Sequence, residues 1–284
     1  MDNSQPRHLV GITEAYNRAY AAVLSNPYWF SDRPRLLNKT FSAENTRKRA
    51  ELLIDILHRA ARRRREHPLA EQYLALATKL AACPHHRCGS SACLNCLRAF
   101  QQAKSIAHRN ALVQLATIYP NVIWCVVTII PLELNYPRGT LNEFNVHEFN
   151  HHLTERFAWD GLIRPFLASI DFSLEASPIG KYWQPHWHLA LHTYDPNVLR
   201  QRLKELFPPI GKYAYPVDVA EAGDLNFLPY IHKVIKIPDL LRTARSHLPE
   251  LLLALDRINP LDLLAYQRLV LSAQSGGFNF QLPR

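Results

Sequence analysis

No stretch of this 284-residue chain is apolar for long enough to cross a bilayer as a helix. Low-complexity runs and internal repeats are missing as well, which argues against a disordered linker or a repeat array. Glycine is scarce, 9 residues against 20 prolines, so stiff connections between elements are expected. The polar opening MDNSQPRHLV does not read as a secretory signal, and the expectation is a soluble, cytoplasmic protein. Acidic residues are in deficit: 24 Asp and Glu against 33 Lys and Arg leave a net charge of +9. Such a balance points to nucleic acid or another acidic surface as partner, without choosing between them. With 48% apolar and 20% charged residues, the chain has a globular composition and the length for one large domain or two modest ones.

Cysteine is used in one place. Of 5 cysteines, Cys83, Cys88, Cys93 and Cys96 fall within one short segment, CPHHRCGSSACLNC, beside His85 and His86. A secreted disulfide framework would scatter them, so clustered thiols read as a zinc site. Four thiolates close a tetrahedral Zn²⁺ shell, and His85 or His86 could replace Cys83. Cys125, in an apolar run, reads as core.

Periodicity then assigns the elements. From Ser42 the pattern is helical, with Leu52, Leu53, Ile56 and Leu57 on one face and Arg62 to Arg65 at the end. Those arginines either complement the helix dipole or touch a DNA backbone. A second helix, LAEQYLALATKLAA, follows Pro68, and a third is expected over 103–119. The β-branched run NVIWCVVTII, residues 121–130, predicts a central strand. Residues 141–158 read as a helix, 166–175 and 184–193 as strands joined by the short turn SPIGK, and Asp195-Pro196 as the start of another helix. GKYAYPVDVAEA contains a further strand, LNFLPYIHKVIK a helix, and the leucine-rich tail over 247–274 another. The hairpin favours an α+β fold, a central antiparallel sheet flanked by helices with an N-terminal helical zinc-binding region. The expected organisation is an irregular lead-in at 1–40, a helical region with the knuckle at 41–118, a sheet domain at 119–240 and a C-terminal helical segment at 241–284.

Two patterns carry chemistry. In YWQPHWHLAL, His186 and His188 lie one residue apart, so on a strand both imidazoles project to one side with Trp187 on the other. The preceding strand offers Asp171, Ser173 and Glu175 in a single parity; Asp171 is the first choice for an acidic metal ligand and Glu175 the reserve. His192 shares the parity of the pair but sits about 13 Å along the strand from His188, too far for one ion. The second pattern is Tyr230-Ile231-His232-Lys233, which on a helix places phenol and ammonium on one face. A free phenol with pKa near 10 needs such a cation, or a metal, to act as a nucleophile.

In sequence, these parts run knuckle, strand VIWCVVTII, acidic strand, His-Trp-His, Tyr-x-x-Lys, and that order resembles the HUH single-strand endonucleases, in particular rolling-circle replication initiator (Rep) proteins. CGSSACLNCLRAF looks like the cysteine segment of several such initiators and of related insertion-sequence transposases. The resemblance spans about residues 83–236. It implies that His186 and His188 bind a catalytic Mg²⁺ or Mn²⁺ with Asp171, that Tyr230 is the nucleophile and that Lys233 assists it. It also implies a plasmid or phage initiator that nicks and rejoins single-stranded DNA at a replication origin, with a host helicase as a further partner and no membrane. Some members carry a second tyrosine four residues after the first; Val234 stands there, so the resemblance implies a single-tyrosine enzyme. Tyr213 and Tyr215 are the nearest spare phenols.

An HUH transposase is the nearest alternative. From another enzyme class, His147-Glu148-Phe149-Asn150-His151 fits the zinc-peptidase pattern H-E-x-x-H, with Glu155 on a reachable face. A zinc-containing DNA-binding regulator without catalysis fits the charge and the knuckle equally well.

Overall fold

The computed structural model describes residues 43–65, 67–83, 88–97, 121–159, 165–177, 180–209, 216–222 and 245–258. Helix α1 (Ala43–Arg63) turns Leu53, Ile56 and Leu57 into the core, the face expected from their spacing. Arg62 and Arg63 fill its last turn, where positive charge complements the helix dipole. Helix α2 (Leu69–Ala82) follows Pro68 and buries Tyr73, Leu76, Ala77 and Leu80, an i, i+3, i+4, i+7 stripe. These two helices pack against each other.

The sheet is antiparallel and five-stranded: β1 (Ile123–Ile129), β2 (Tyr136–Pro137), β3 (Pro165–Ser177), β4 (Gly180–Thr193) and β5 (Val217–Ala222). Strand β4 is its axis. On one side β3 pairs along most of its length, Asp171 opposite His186; on the other, β1 takes residues 187–193 and β2 takes Tyr182 and Trp183. Beyond β1 lies β5, so the β-branched strand is central as its composition demands. At the β3–β4 turn, Ser177 pairs with Gly180, whose φ of +136° is strained for any residue with a Cβ.

Alternation gives the sheet two unlike faces. Phe172, Ile170, Trp187, Leu189, Leu191, Val127 and Ile129 share one, which is hydrophobic. Helices α3 (Val146–Trp159) and α4 (Pro196–Leu206) contribute to the same core: the Phe149 ring stacks on Trp187 at 4.0 Å, and Phe157 meets Phe207 edge-on. The expected helix over 141–158 is divided, with a 3₁₀ turn at Leu141–Glu143 before α3. Asn145 explains the break, because its Oδ1 accepts hydrogen bonds from the N–H groups of His147 and Glu148 and starts a fresh helix. Asp195 caps α4 as its sequence predicts, accepting from Asn197 and Val198.

Helix α5 (Leu248–Asp256) returns to pack against α1, α2 and the 3₁₀ turn, and one continuous apolar core includes all of them. Glu250 fastens it there. Its Oε1 accepts from the N–H of Gly139 (2.8 Å) and Leu141 (3.1 Å), while Oε2 accepts from Trp183 Nε1 (3.1 Å). Among the described residues, no helix is long and apolar enough to cross a membrane. The lead-in at 1–40, the expected helices over 103–119 and 225–236, and the tail past 258 lie outside the described residues.

Candidate metal centres

His186 and His188 project from β4 onto the sheet face opposite Trp187, as period-two alternation requires. The hairpin register then places Asp171 directly across from His186, while Ser169 of β3 and Thr128 of β1 flank His188. Asp171 Oδ2 lies 3.6 Å from His188 Nε2 and 4.0 Å from His186 Nε2. Those separations are long for hydrogen bonds and close to the roughly 3.0–3.5 Å expected between two ligands about 2.1 Å from a shared ion. One atom from each of the three side chains falls within 4.8 Å of the other two. The site is deep: Asp171 is 1% exposed, His188 2% and His186 9%.

The remaining ring nitrogens fix the direction of the donors. His186 Nδ1 is 3.2 Å from the carbonyl oxygen of Gln184, which can only accept, so Nδ1 carries the proton and the Nε2 lone pair faces Asp171. His188 Nδ1 lies 3.0 Å from Thr128 Oγ1, which can accept the proton there and leave Nε2 equally available. Two imidazole nitrogens and one carboxylate oxygen converge in this buried site, a donor set that could hold a divalent cation. The donor set N₂O suits a borderline ion such as Mn²⁺ and admits Mg²⁺ less readily. Burial raises the pKa of Asp171, but the His188 hydrogen bond, the charges of His186 and His188 whenever those rings are protonated, and the Phe172 N–H outweigh it and hold the carboxyl below its usual range.

The second centre is the knuckle. Cys83, Cys88, Cys93 and Cys96 come together, with Sγ separations of 3.3 Å (83 to 93), 3.4 Å (83 to 96) and 3.7 Å (88 to 96). A tetrahedron of thiolates about 2.3 Å from Zn²⁺ has edges of about 3.8 Å, so four sulfurs alone suffice to hold a metal such as zinc. Cys83 closes the end of α2, Gly89 makes the turn with φ +64°, and Ser91 Oγ donates to the Ile258 carbonyl at 2.7 Å, tying the knuckle to the end of α5. Sulfhydryls of Cys83, Cys88 and Cys93 directed at the Cys96 sulfur hold that thiol far below its ordinary range, while the hydrogen bonds with Cys83 push the thiols of Cys88 and Cys93 up. Cys125 is of the other kind: burial first, and then the charge of Glu221, push its thiol up to about 11.

The other expected residues are dispersed. Glu175 is exposed opposite Tyr182, four residues along β3 from Asp171 and outside the cluster. His192 sits against Trp124, their ring centroids 5.4 Å apart. His147 and His151 are exposed on α3, where His151 pairs with Glu155 at 3.1 Å, and they form no metal cluster with a third ligand among the described residues. Tyr230, Lys233, Tyr213, Tyr215, Val234, His85 and His86 lie outside the described residues. Sequence reading missed Thr128 and the Gln184 carbonyl as the partners that orient the imidazoles. Neither has a spacing signal, because the first depends on β1–β4 register and the second on a backbone atom. No protein family, no curated protein and no solved structure matches this chain.

Proposed function

We propose that the chain is an HUH-type nicking and joining enzyme for single-stranded DNA, most simply a replication initiator of a plasmid or phage, with an HUH transposase as the nearest alternative. One observation carries this reading: a buried carboxylate and two imidazoles, oriented by Gln184 and Thr128, converge on one point of a sheet. The order of knuckle, strand, acidic strand, His-x-His and Tyr-x-x-Lys along the chain supports it, as does the net charge of +9. A divalent ion held by Asp171, His186 and His188 would act as a Lewis acid on a scissile phosphate. In this reading the Tyr230 oxygen attacks phosphorus, a P–O(Tyr) bond forms, and the P–O3′ bond breaks. The phenol proton passes to solvent and the departing 3′ oxygen takes one up, leaving a free 3′-OH and a 5′-phosphotyrosine. Lys233 would lower the phenol pKa or steady the phosphate.

The test is incubation of the whole protein with single-stranded oligonucleotides from candidate origins and Mn²⁺, read on a denaturing gel. Nicking and a protein band shifted by attached oligonucleotide are expected, and both should vanish in Tyr230→Phe and in Asp171→Asn. A Tyr230→Phe variant that retains every activity would support a non-catalytic DNA-binding regulator instead.

A further inference from the structure

Two adjoining cavities, of about 910 and 620 Å³, lie between α1, α2, α5 and the turn after β2, remote in sequence from the His-x-His strand. They share Arg64, Tyr73, Arg138 and Glu250, and so form one trough. The smaller cavity is lined by Arg59, Arg63, Arg64, Arg138 and Arg245, and the larger adds Lys79 and Arg257. A helix dipole accounts for an arginine in the last turn of α1, but not for Arg138 and Arg245 arriving from two other segments. Arg59 pairs with Asp55 and Lys79 with Asp256. Among the described residues, no carboxylate lies within ion-pair distance of Arg63, Arg64, Arg138 or Arg245. Glu250, the one acid of the smaller cavity, spends its oxygens on Gly139, Leu141 and Trp183. A second sign of positive potential is His247 on the same lining: burial, then Arg138 and Lys181, hold its imidazole below the usual range.

We infer that this trough is a phosphate-binding groove that seats the backbone of double-stranded nucleic acid. Arginine forks match phosphate oxygens in pairs. Single strands are held by arginine together with exposed rings on which bases stack, and the one Phe, Tyr or Trp ring in the described lining, Tyr73, is only 4% exposed. A duplex, whose bases are already stacked, needs only the charges. Part of the +9 net charge is thereby gathered where it can act on one ligand. The inference does not depend on strand cleavage, and its test omits divalent metal so that failure of the nicking proposal leaves it intact.

The measurement is fluorescence anisotropy of a labelled duplex and of the matching single strand with the full-length, zinc-loaded protein, over a range of salt and without added divalent ions. Arg64→Ala combined with Arg138→Ala should weaken duplex binding at least tenfold and reduce the slope of log K against log salt by about 2, since each lost phosphate contact removes about 0.9. Arg47→Ala combined with Arg202→Ala removes the same charge elsewhere and should leave both quantities near wild type. Equal losses in the two double variants, or no loss in the first, would overturn the groove. Single-strand binding as tight as duplex binding, lost with the same arginines, would overturn the duplex assignment. As a check that needs no variant, bound duplex should shield Arg63, Arg64 and Arg138 from phenylglyoxal in peptide mass spectra; equal modification with and without duplex would count against the inference.

Discussion

Thr128→Val is the sharpest perturbation of the oxygen–nitrogen centre. Thr128 Oγ1 lies 3.0 Å from His188 Nδ1, and the β1–β4 register sets the two residues directly opposite each other. Valine keeps the shape and the β-branched preference of the strand, so the exchange removes a hydrogen bond and little else. His188 is 2% exposed, which leaves water a poor substitute for the lost hydroxyl. With that partner gone, the proton is free to shift to Nε2, facing Asp171 at 3.6 Å, and metal binding must first reverse the shift. A hydrogen bond lost in such a setting costs about 1–3 kcal/mol, or about tenfold to a hundredfold in affinity, the range found for groups that orient metal-bound histidines. Mn²⁺ titration of zinc-loaded protein, followed by calorimetry or by the electron paramagnetic resonance of free Mn²⁺, measures it. Thr128→Val should bind about 10–100-fold more weakly than wild type, and Thr128→Ser, which keeps the oxygen, should stay within a few-fold. Equal affinity in all three proteins, alongside His188→Ala that binds no Mn²⁺, would refute the claim that Thr128 sets the imidazole.

Zinc removal with a chelator, or Cys93→Ser, should lower the melting temperature by more than about 10 °C, because the knuckle joins α2 to the end of α5; calorimetry with a colorimetric zinc assay shows whether the two losses coincide. Glu250→Gln turns one carboxylate oxygen into an amide that faces a donor, and should cost about 1–3 kcal/mol in urea unfolding. His247 gives a pH dependence. Burial and then Arg138 and Lys181 place its folded pKa below the unfolded value of 6.5, so the unfolded chain binds the extra proton first. The stabilisation is complete above about pH 6.5 and is lost as pH falls through the folded value; urea midpoints between pH 5 and 8 should show a shallower acid decline in His247→Gln than in wild type. His192, lowered by burial, contributes in the same direction and remains in the variant.

Local patterns were readable and non-local geometry was not. Leucine spacing in α1 and α2, the Asp195 cap and the hairpin strands all express interactions within a few residues, so the sequence displays them directly. The Asp171–His186–His188 trio was largely readable: parity put the histidines together and Asp171 is the first choice from the facing strand, and the hairpin register, which the short turn constrains, sets it opposite His186 and leaves Glu175 outside. Thr128 came from a strand about sixty residues away, and nothing in its neighbourhood announces that it will face an imidazole. Arg138 and Arg245 were invisible for the same reason, since their meeting with Arg64 depends on α5 folding back across the chain. The helix expected over 141–158 is broken at 144–145 because the Asn145 side chain takes the N–H groups that a continuous helix would have used.

The two candidate metal centres are built on one mechanical chain. Cys96 and its partners hold the knuckle, Ser91 holds the end of α5, and Glu250 on α5 holds the Trp183 indole of β4, three residues before His186. On the core face of that strand, Trp187 stacks on Phe149 between the two histidines, so the same backbone segment is fixed from both sides of the sheet. A slip of one residue between β3 and β4 would exchange Asp171 for Phe172 beside the imidazoles and bury the carboxylate among leucines. Phe172 and Ile170 of β3 make that slip costly, because each would leave a buried position for the polar face. Apolar packing on one side of β4 therefore sets the donor geometry on the other, and the cysteine cluster, through α5 and Glu250, anchors the end of the strand from which both histidines are measured.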